Sequence, residues 1–393
     1  MNLQTLKGFR DFLPQQMRKR QYVIDALKKV FESYGFEPLE TPALEYEEVL
    51  LGKYGDEGDK LMYRFEDNGG RKVALRYDQT VPLARVVAYG NQLPAPFKRY
   101  QIQPVWRAEN TQKGRFREFL QCDIDTVGLD SLYADAEIIA CAIKGLEALG
   151  FKDFKVIIND RAVFTGMSSA DIRIIDKLKK IGKEKVLEEL SDKSLLQKIE
   201  SQKLTQDLEV IFITLKDLGV EKNKYEFSPT LARGLDYYTG MIFEIEIKGY
   251  ETGSILGGGR YDKLIGMFAR ENIPAVGCAF GFDRTLEAMD QLGLFPADLA
   301  TTKVLVTVFS MELGQESIKV SSKLRSNNIN CELWLESDTK LEKQLKYADQ
   351  KGIPYVIIIG PNEASENKVT LKDLTNKTQE TISLDEAVSK LSS

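Results

Sequence analysis

The sequence predicts two folded units: an α+β domain on an antiparallel sheet, interrupted by a helical insertion, and a smaller C-terminal α/β domain. Three observations carry this. The apolar segments RYQIQPVWRAE and REFLQCDIDTVG flank the charged loop NTQKGR, the pattern of a long antiparallel hairpin. Residues 161–225 are rich in Lys, Glu, Leu and Ile and nearly free of glycine after Gly166, a helical composition. From Lys303 onward strands alternate with helices, as in a small, largely parallel sheet.

The first element is a helix over 14–34. Pro14 stands at its entrance, where a missing N–H costs nothing, and Val23, Leu27, Val30, Phe31 and Tyr34 share one face. That face suits a core or a subunit interface. Gly35 ends the helix, and the prolines of FEPLETPALEY suit an extended boundary strand. KVALRY alternates as a strand, TVPLARVVAYG is helical, and the hairpin follows. A helix from Tyr133 to Gly150 and the strand FKVIIND precede the insertion. TGMIFEIEI, GSILGGGRYD and AVGCAFGFDR then resume the sheet, followed by the helix TLEAMDQLG and the linker-like LFPADLATT. The C-terminal region runs KVLVTVF, a helix to Asn327, INCELWLE, a helix through Tyr347, PYVIIIG, a polar strand region and the helix LDEAVSKL. The expected boundaries are 1–160 and 226–293 for the two parts of the first domain, 161–225 for the insertion, 294–302 for the linker and 303–393 for the second domain.

Composition narrows the chemistry. The chain has 393 residues, 54 Lys+Arg against 59 Asp+Glu, a net charge of −5 and no histidine. Ser-His-Asp and Cys-His nucleophilic systems and histidine-ligated zinc are therefore excluded. A general base would have to be a carboxylate, a Lys, a Tyr or the substrate itself. The mildly acidic total gives no bulk attraction for nucleic acid, although a local basic face can still bind it. Cys122, Cys141, Cys278 and Cys331 fit neither a zinc nor a disulfide spacing and read as buried thiols in a reducing compartment. No apolar run approaches the roughly 18 residues of a membrane helix. The start, MNLQTLKGFRDFL, lacks the pattern of a signal peptide. The expected location is the cytoplasm, with no membrane partner.

No GxxxxGK[ST] phosphate loop is present, and LGGGRYD lacks the spacing of a dinucleotide fold. Three glycines in a row more often mark a bulge or tight turn, though they permit close backbone approach to a ligand. The arginines say more: Arg107 and Arg284 close apolar segments, Arg115 and Arg117 follow the hairpin's loop, and Arg233 lies in LARGLDYYTG. Each alone reads as a structural ion pair. Together, from separate strands, they suggest a polyphosphate held by planar guanidinium forks on an antiparallel sheet.

FKRYQIQPVWRAENTQKGRFREFLQCDIDTVG resembles motif 2 of class II aminoacyl-tRNA synthetases, and AVGCAFGFDRTLEAM resembles their motif 3. LARGLDYYTGMIFEI and SILGGGRYDKLIG are similar to the two signatures of the histidyl-tRNA synthetase family, and GFRDFLP and LRYDQT also match it. The resemblance covers essentially the whole chain. It implies a class II-like catalytic domain, and an anticodon-binding domain for the C-terminal region. ATP with Mg²⁺, histidine and tRNA(His) are the implied substrates, with no protein ligand assigned to a metal. The 14–34 helix and the TPALEY strand are implied to form a homodimer interface.

Carried over position by position, Arg107 would bind the ATP α-phosphate, with Glu109 near the adenine amino group, Phe119 stacked on the base and Arg284 at the γ-phosphate. Asp78, Thr80 and Gln121 match positions holding the amino acid's α-amino and carboxylate end. Asp125 and Tyr238 match those that read the imidazole, and Tyr237 and Tyr261 belong to the same pocket. Arg233 matches the arginine at the reacting carboxylate and α-phosphate, which makes Arg233 and Arg107 the implied catalytic pair. Gln112 corresponds to a position that touches the acceptor end of tRNA. Asn110 and Thr111 stand where many members have Arg-Pro, and Asp78 where many have glutamate. Gln101 and Leu120 stand where members often have histidine.

The residue types suit such chemistry. Joining a carboxylate to an α-phosphate brings two anions together, so positive charge is needed where the pentacoordinate phosphorus forms. An ionised Asp125 accepting from one ring N–H, with the Tyr238 hydroxyl donating to the other nitrogen, would select neutral imidazole. Leaving those groups unpaired rejects other amino acids by about 10⁴–10⁵. The alternative implied by the same family is a catalytically inactive paralogue, the regulatory subunit of ATP phosphoribosyltransferase. Such paralogues lack the C-terminal domain and degrade the RGLDYY segment, both of which this chain keeps. A module that senses uncharged tRNA would need a linked kinase region.

Overall fold

The structure, a computed structural model, describes residues 3–392 apart from 54, 91–92, 112–113, 234–236, 270, 298 and 338, and only the backbone of 55–57. The chain divides into two units, Met1–Phe295 and Pro296–Ser393.

The first unit opens with α1 (Pro14–Ser33), whose start Pro14 sets and whose end Gly35 marks with a φ of 78°. Then come β1 (Glu37–Pro38), β2 (Leu44–Tyr46), α2 (Glu47–Leu50), α3 (Gly55–Lys60), β3 (Arg64–Glu66), β4 (Lys72–Leu75) and α4 (Thr80–Ala88). The hairpin is β5 (Phe97–Trp106) and β6 (Glu118–Val127). Helix α5 (Leu132–Ala148) starts at Ser131, whose hydroxyl accepts from Tyr133 N at 3.3 Å, and leads to β7 (Phe154–Asp160). The helix-rich segment holds α6 (Ser169–Asp176), α7 (Leu178–Ile181), α8 (Lys183–Glu189), α9 (Ser194–Glu200) and α10 (Gln206–Asp217). The sheet resumes with β8 (Tyr225–Phe227), β9 (Met241–Ile247), β10 (Leu256–Arg260) and β11 (Ala275–Gly281), and α11 (Phe282–Gln291) follows.

Eight strands form one sheet in the order β1-β5-β6-β11-β10-β9-β7-β8. It is antiparallel throughout except at its two edges, where β1 pairs with β5 and β8 with β7 in parallel. One face packs under helices. Val23, Leu27 and Phe31 of α1, Ile139 and Ile143 of α5, and Leu208 and Ile211 of α10 meet Ile124, Phe243 and Phe280 in one core. The apolar stripe of α1 is thus core within this chain. Helix α10 belongs to the same layer, whereas Ile172, Ile175, Val186 and Leu196 of α6, α8 and α9 join the core on the opposite side. KVALRY does not enter the main sheet: β4 is the middle of a separate three-stranded sheet, β2-β4-β3.

The second unit contains β12 (Val304–Val306), α12 (Gly314–Ser326), β13 (Cys331–Leu333), α13 (Leu341–Lys351), β14 (Tyr355–Ile358), α14 (Pro361–Ser365), β15 (Lys368–Asp373), β16 (Thr378–Ser383) and α15 (Leu384–Ser392). Its sheet order is β13-β12-β14-β15-β16. The expected largely parallel sheet is corrected here to a mixed one. β13, β12 and β14 are parallel, but β15 and β16 form an antiparallel hairpin because the turn between them is too short for a crossover helix.

Arg76 ties the small sheet to the large one. It is 2% exposed; its Nη1 donates to Thr41 O at 2.6 Å and Gln103 Oε1 at 3.0 Å, and its Nε to Pro104 O at 2.8 Å. Arg76→Met keeps the apolar stem but strands these acceptors. Urea unfolding should show about 3 kcal/mol lost, as a lower midpoint with an unchanged slope.

Candidate active site

A cleft of about 390 Å³ opens on the sheet face away from α1 and α5. It is lined by Asp78, Thr80, Arg107, Glu109, Phe119, Gln121, Asp125, Arg233, Tyr237, Tyr238, Tyr261 and Arg284 together. Gln112 lies outside the described residues.

The floor is a cross-strand ladder. Arg99, Gln101 and Gln103 of β5 stand opposite Asp125, Asp123 and Gln121 of β6. Strand alternation puts these side chains on the cleft side of the sheet, where Gln121, Asp123 and Asp125 line the cleft, while Cys122 and Ile124 enter the helix-side core. Arg99 is fully enclosed, with Nη2 2.7 Å from Asp125 Oδ2 and 3.9 Å from Asp123 Oδ2. The Tyr261 hydroxyl donates to Asp125 Oδ1. Gln121 Nε2 donates to Asp123 Oδ2 at 2.7 Å. Gln121 Oε1 and Asp123 Oδ1 are buried with no hydrogen-bond partner among the described residues. Burial pushes the Asp123 carboxyl up to about 8 against the opposing pull of Arg99. Burial also raises Asp125, while Arg99 and the Tyr261 hydroxyl draw it back. Burial raises the phenols of Tyr237, Tyr238 and Tyr261 as well, so they remain donors at neutral pH. Asp78 Oδ1 accepts from Val81 N at 3.1 Å at the start of α4, whose first residue is Thr80.

The arginines come from different elements. Arg107 follows β5; its Nε donates to Tyr77 O at 3.1 Å, and its guanidinium stands 4.5 Å from the Tyr77 ring centroid and 5.1 Å from that of Phe119. Arg284 is not at a strand end, as the sequence suggested, but in the first turn of α11, because β11 stops at Gly281. Its Nη1 donates to Ser254 O at 2.9 Å. Arg233 Nη1 lies 2.8 Å from Glu244 Oε1 on β9, and Arg115 Nη1 lies 3.6 Å from Glu109 Oε2. Ion pairing and cleft lining therefore coexist in Arg233 and Arg115.

The tri-glycine run is neither a bulge nor a turn. Gly257, Gly258 and Gly259 lie in regular β10, in register with Ala279, Cys278 and Gly277 of β11. They are there for what a side chain would hit. A Cβ at Gly257 would meet Arg233 Nη1 at 1.9 Å, one at Gly258 would meet Gly277 O at 2.2 Å, and one at Gly259 would meet Tyr238 Cδ1 at 2.9 Å. A Cβ at Gly277 would meet Asp125 Oδ1 at 1.9 Å.

Several contributors escaped the sequence reading. Arg99 and Asp123 are signalled only by polar residues at every second position of RYQIQ and QCDID. The role of GFRDF is equally silent in the sequence. Arg10 Nη2 and Arg20 Nη1 each donate to Asp283 at 2.9 Å, and the Arg10 guanidinium lies 3.2 Å from the Phe116 ring centroid. Arg10 thus links the first turn of α11 to the hairpin loop.

An antiparallel sheet carrying arginines from separate elements, in a chain without a phosphate loop, defines a class II aminoacyl-tRNA synthetase catalytic domain. The family model for histidyl-tRNA synthetase matches residues 8–171 and 161–285, and that for an anticodon-binding domain matches 303–393. The histidine–tRNA ligase of Cytophaga hutchinsonii is 42% identical, over 98% of this chain and 98% of its own length. That of Gloeobacter violaceus is 41% identical, over 97% of both chains. The crystal structure of histidyl-tRNA synthetase from Nostoc sp. PCC 7120 matches with a TM-score of 0.88 at 34% identity, over 99% of both chains. The chain belongs to the histidyl-tRNA synthetase family.

The glycines predict unequal tolerance. Gly258→Ala meets backbone that cannot move without breaking the β10–β11 pairing and should cost about 3 kcal/mol. Gly257→Ala meets only the flexible end of Arg233 and should cost less than about 1 kcal/mol. Thermal melting of the two variants side by side checks this order.

Proposed function

We propose that the cleft binds histidine and ATP side by side, joins them as histidyl-adenylate with release of diphosphate, and passes the histidyl group to tRNA(His). The observation that supports this best is the division of the cleft into a carboxylate and tyrosine floor beside an arginine rim. Asp78, Thr80 and the unpartnered Gln121 Oε1 suit an α-ammonium group. Asp125, Tyr238 and Tyr261 suit the imidazole, with Tyr237 packed 4.8 Å from Tyr238 between ring centroids. Arg107, Phe119 and Glu109 take the α-phosphate and adenine, Arg284 the γ-phosphate, and Arg233 the carboxylate oxygens as they attack phosphorus. Gln112 is assigned to the acceptor end of tRNA.

The charge that builds on the pentacoordinate phosphorus is met by fixed guanidinium groups, so no protein acid or base is required. Mg²⁺ carried in with ATP would supply further neutralisation of phosphate charge.

The remaining assignments belong to the same reading. In the second unit Phe309, Met311 and Leu335, exposed by 46%, 68% and 89%, follow the parallel strands and offer apolar surface to unstacked anticodon bases. Leu44, Tyr46 and Phe65 leave an apolar face on the small sheet, suited to a homodimer contact. No helix among the described residues is long and apolar enough to cross a membrane; the reading places the protein in the cytoplasm, a reducing compartment that suits free cysteines. The ligase reading is preferred to the inactive regulatory-subunit one because the two relatives at 42% and 41% identity, matched over nearly their whole length, are histidine–tRNA ligases.

The protein should exchange pyrophosphate into ATP only with histidine present. Truncation before Lys303 should leave that exchange largely intact while tRNA charging falls; equal loss of both would overturn the division of labour. The kcat/KM for histidine should fall below about pH 6–6.5 as the free ring takes a proton. An analogue whose ring does not titrate there should lose that inflection, and any inflection it keeps belongs to a protein group.

A further inference from the structure

We propose that Glu244 is a positioning residue for Arg233: across the side-chain-free surface of Gly257, it fixes the guanidinium at the place where adenylate formation needs positive charge. The inference rests on the role given to Arg233 above.

Arg233 precedes β9 and its side chain must run back over the sheet to reach the cleft. Gly257 of β10 is paired with Glu244 of β9. Because Gly257 has no Cβ, the guanidinium can lie against the strand, with Nη1 1.9 Å from where a Cβ would stand, and end 2.8 Å from Glu244 Oε1. Arg233 lines the cleft and Glu244 does not. Among the described residues the contact uses Nη1 and leaves Nε and Nη2 to an anion.

Two further features bear on the assignment. The Tyr238 ring lies 5.8 Å from the guanidinium carbon, which limits swing toward the histidine pocket. Asp176 of α6 also acts on Arg233 through its charge, but among the described hydrogen bonds of Arg233 only Glu244 is a partner. Glu244 is therefore the group that fixes direction as well as charge, and Asp176 supplies field alone. A long, rotamer-rich arginine left without such a partner would sample positions away from the phosphorus, and a displacement of about 1 Å at a reacting centre can cost about 10²-fold in rate. Glu246, two residues on along β9, pairs with Lys179 of α7, so the two outward carboxylates of this strand have separate partners.

Pyrophosphate exchange by the full-length protein tests this with four variants. Glu244→Ala should lower kcat at least about tenfold with the histidine KM changed less than about twofold. Glu244→Gln keeps an acceptor at the same reach and should recover most of that loss, which a role in folding alone would not produce. Gly257→Ala leaves every charge in place but displaces the guanidinium, and should reproduce the kcat defect with melting temperature little changed. In an Arg233→Ala background Glu244→Ala should have no further effect. If Arg233→Ala itself leaves kcat unchanged, the role of Arg233 is wrong and the inference goes with it. If Arg233→Ala is severely impaired but Glu244→Ala keeps full kcat, or the two losses simply multiply, Arg233 acts without Glu244 and only the present inference fails.

Discussion

Arg99 is enclosed between β5 and β6 with no exposure, and the carboxylates of Asp123 and Asp125 share its charge. Two acids on one strand face, with Asp78 nearby, would repel strongly without that cation, and an enclosed cation without them would cost several kcal/mol. The arrangement exists only in one register, because Arg99 must stand opposite Asp125. A slip of one residue would turn Cys122 and Ile124 into the cleft and send the acids among Leu27, Phe31 and Phe280. The apolar seal under α1 and α5 and the polar floor of the cleft are therefore two sides of one constraint.

The neighbouring strands serve the same floor by lacking side chains. Gly277 of β11 gives Asp125 its space, Gly259 of β10 gives it to Tyr238, and Gly257 gives it to Arg233. Each polar group lies flat along the sheet instead of standing off it. This keeps Asp125 within reach of both Tyr261 and Arg99 while an open volume remains above. The N-terminal segment closes the other end. Arg10 and Arg20 converge on Asp283, beside Arg284, so the turn carrying this cleft-lining arginine is braced by residues remote in sequence.

Long periodic elements were legible in the sequence. The hairpin, α1 and α5 show their periods over ten or more residues, and tertiary packing agrees with them. The small sheet was not, because β2, β3 and β4 have only three, three and four residues, too few to distinguish from extended loop. The mixed sheet of the second unit escaped for a related reason: β15 and β16 are mostly polar, and their direction is decided by a turn. The cleft residues were legible through their motifs, whereas their supports were not. Glu244 looks like an ordinary outward position of MIFEIEI, and Arg99 like one polar residue among several. Such roles become visible only when a partner strand is placed beside them.

The absence of histidine moves near-neutral titration to other groups. Burial lifts Asp123 to about 8, and Asp135 and Asp176 to about 6 each. The sign follows from linkage. Each of these acids binds its proton more tightly folded than unfolded, so its contribution to stability is complete below the usual carboxylate range. That contribution is lost as pH rises through the folded value. For Asp135 the cause is burial, against the opposing pull of Arg260, and neither residue lines the cleft. For Asp123 the cause lies in the cleft itself, with Oδ1 unpartnered and two other acids close by. At neutral pH the proton held by Asp123 must leave before a cationic group can pair with its carboxylate, so the binding of such a group at this end of the floor is coupled to proton release.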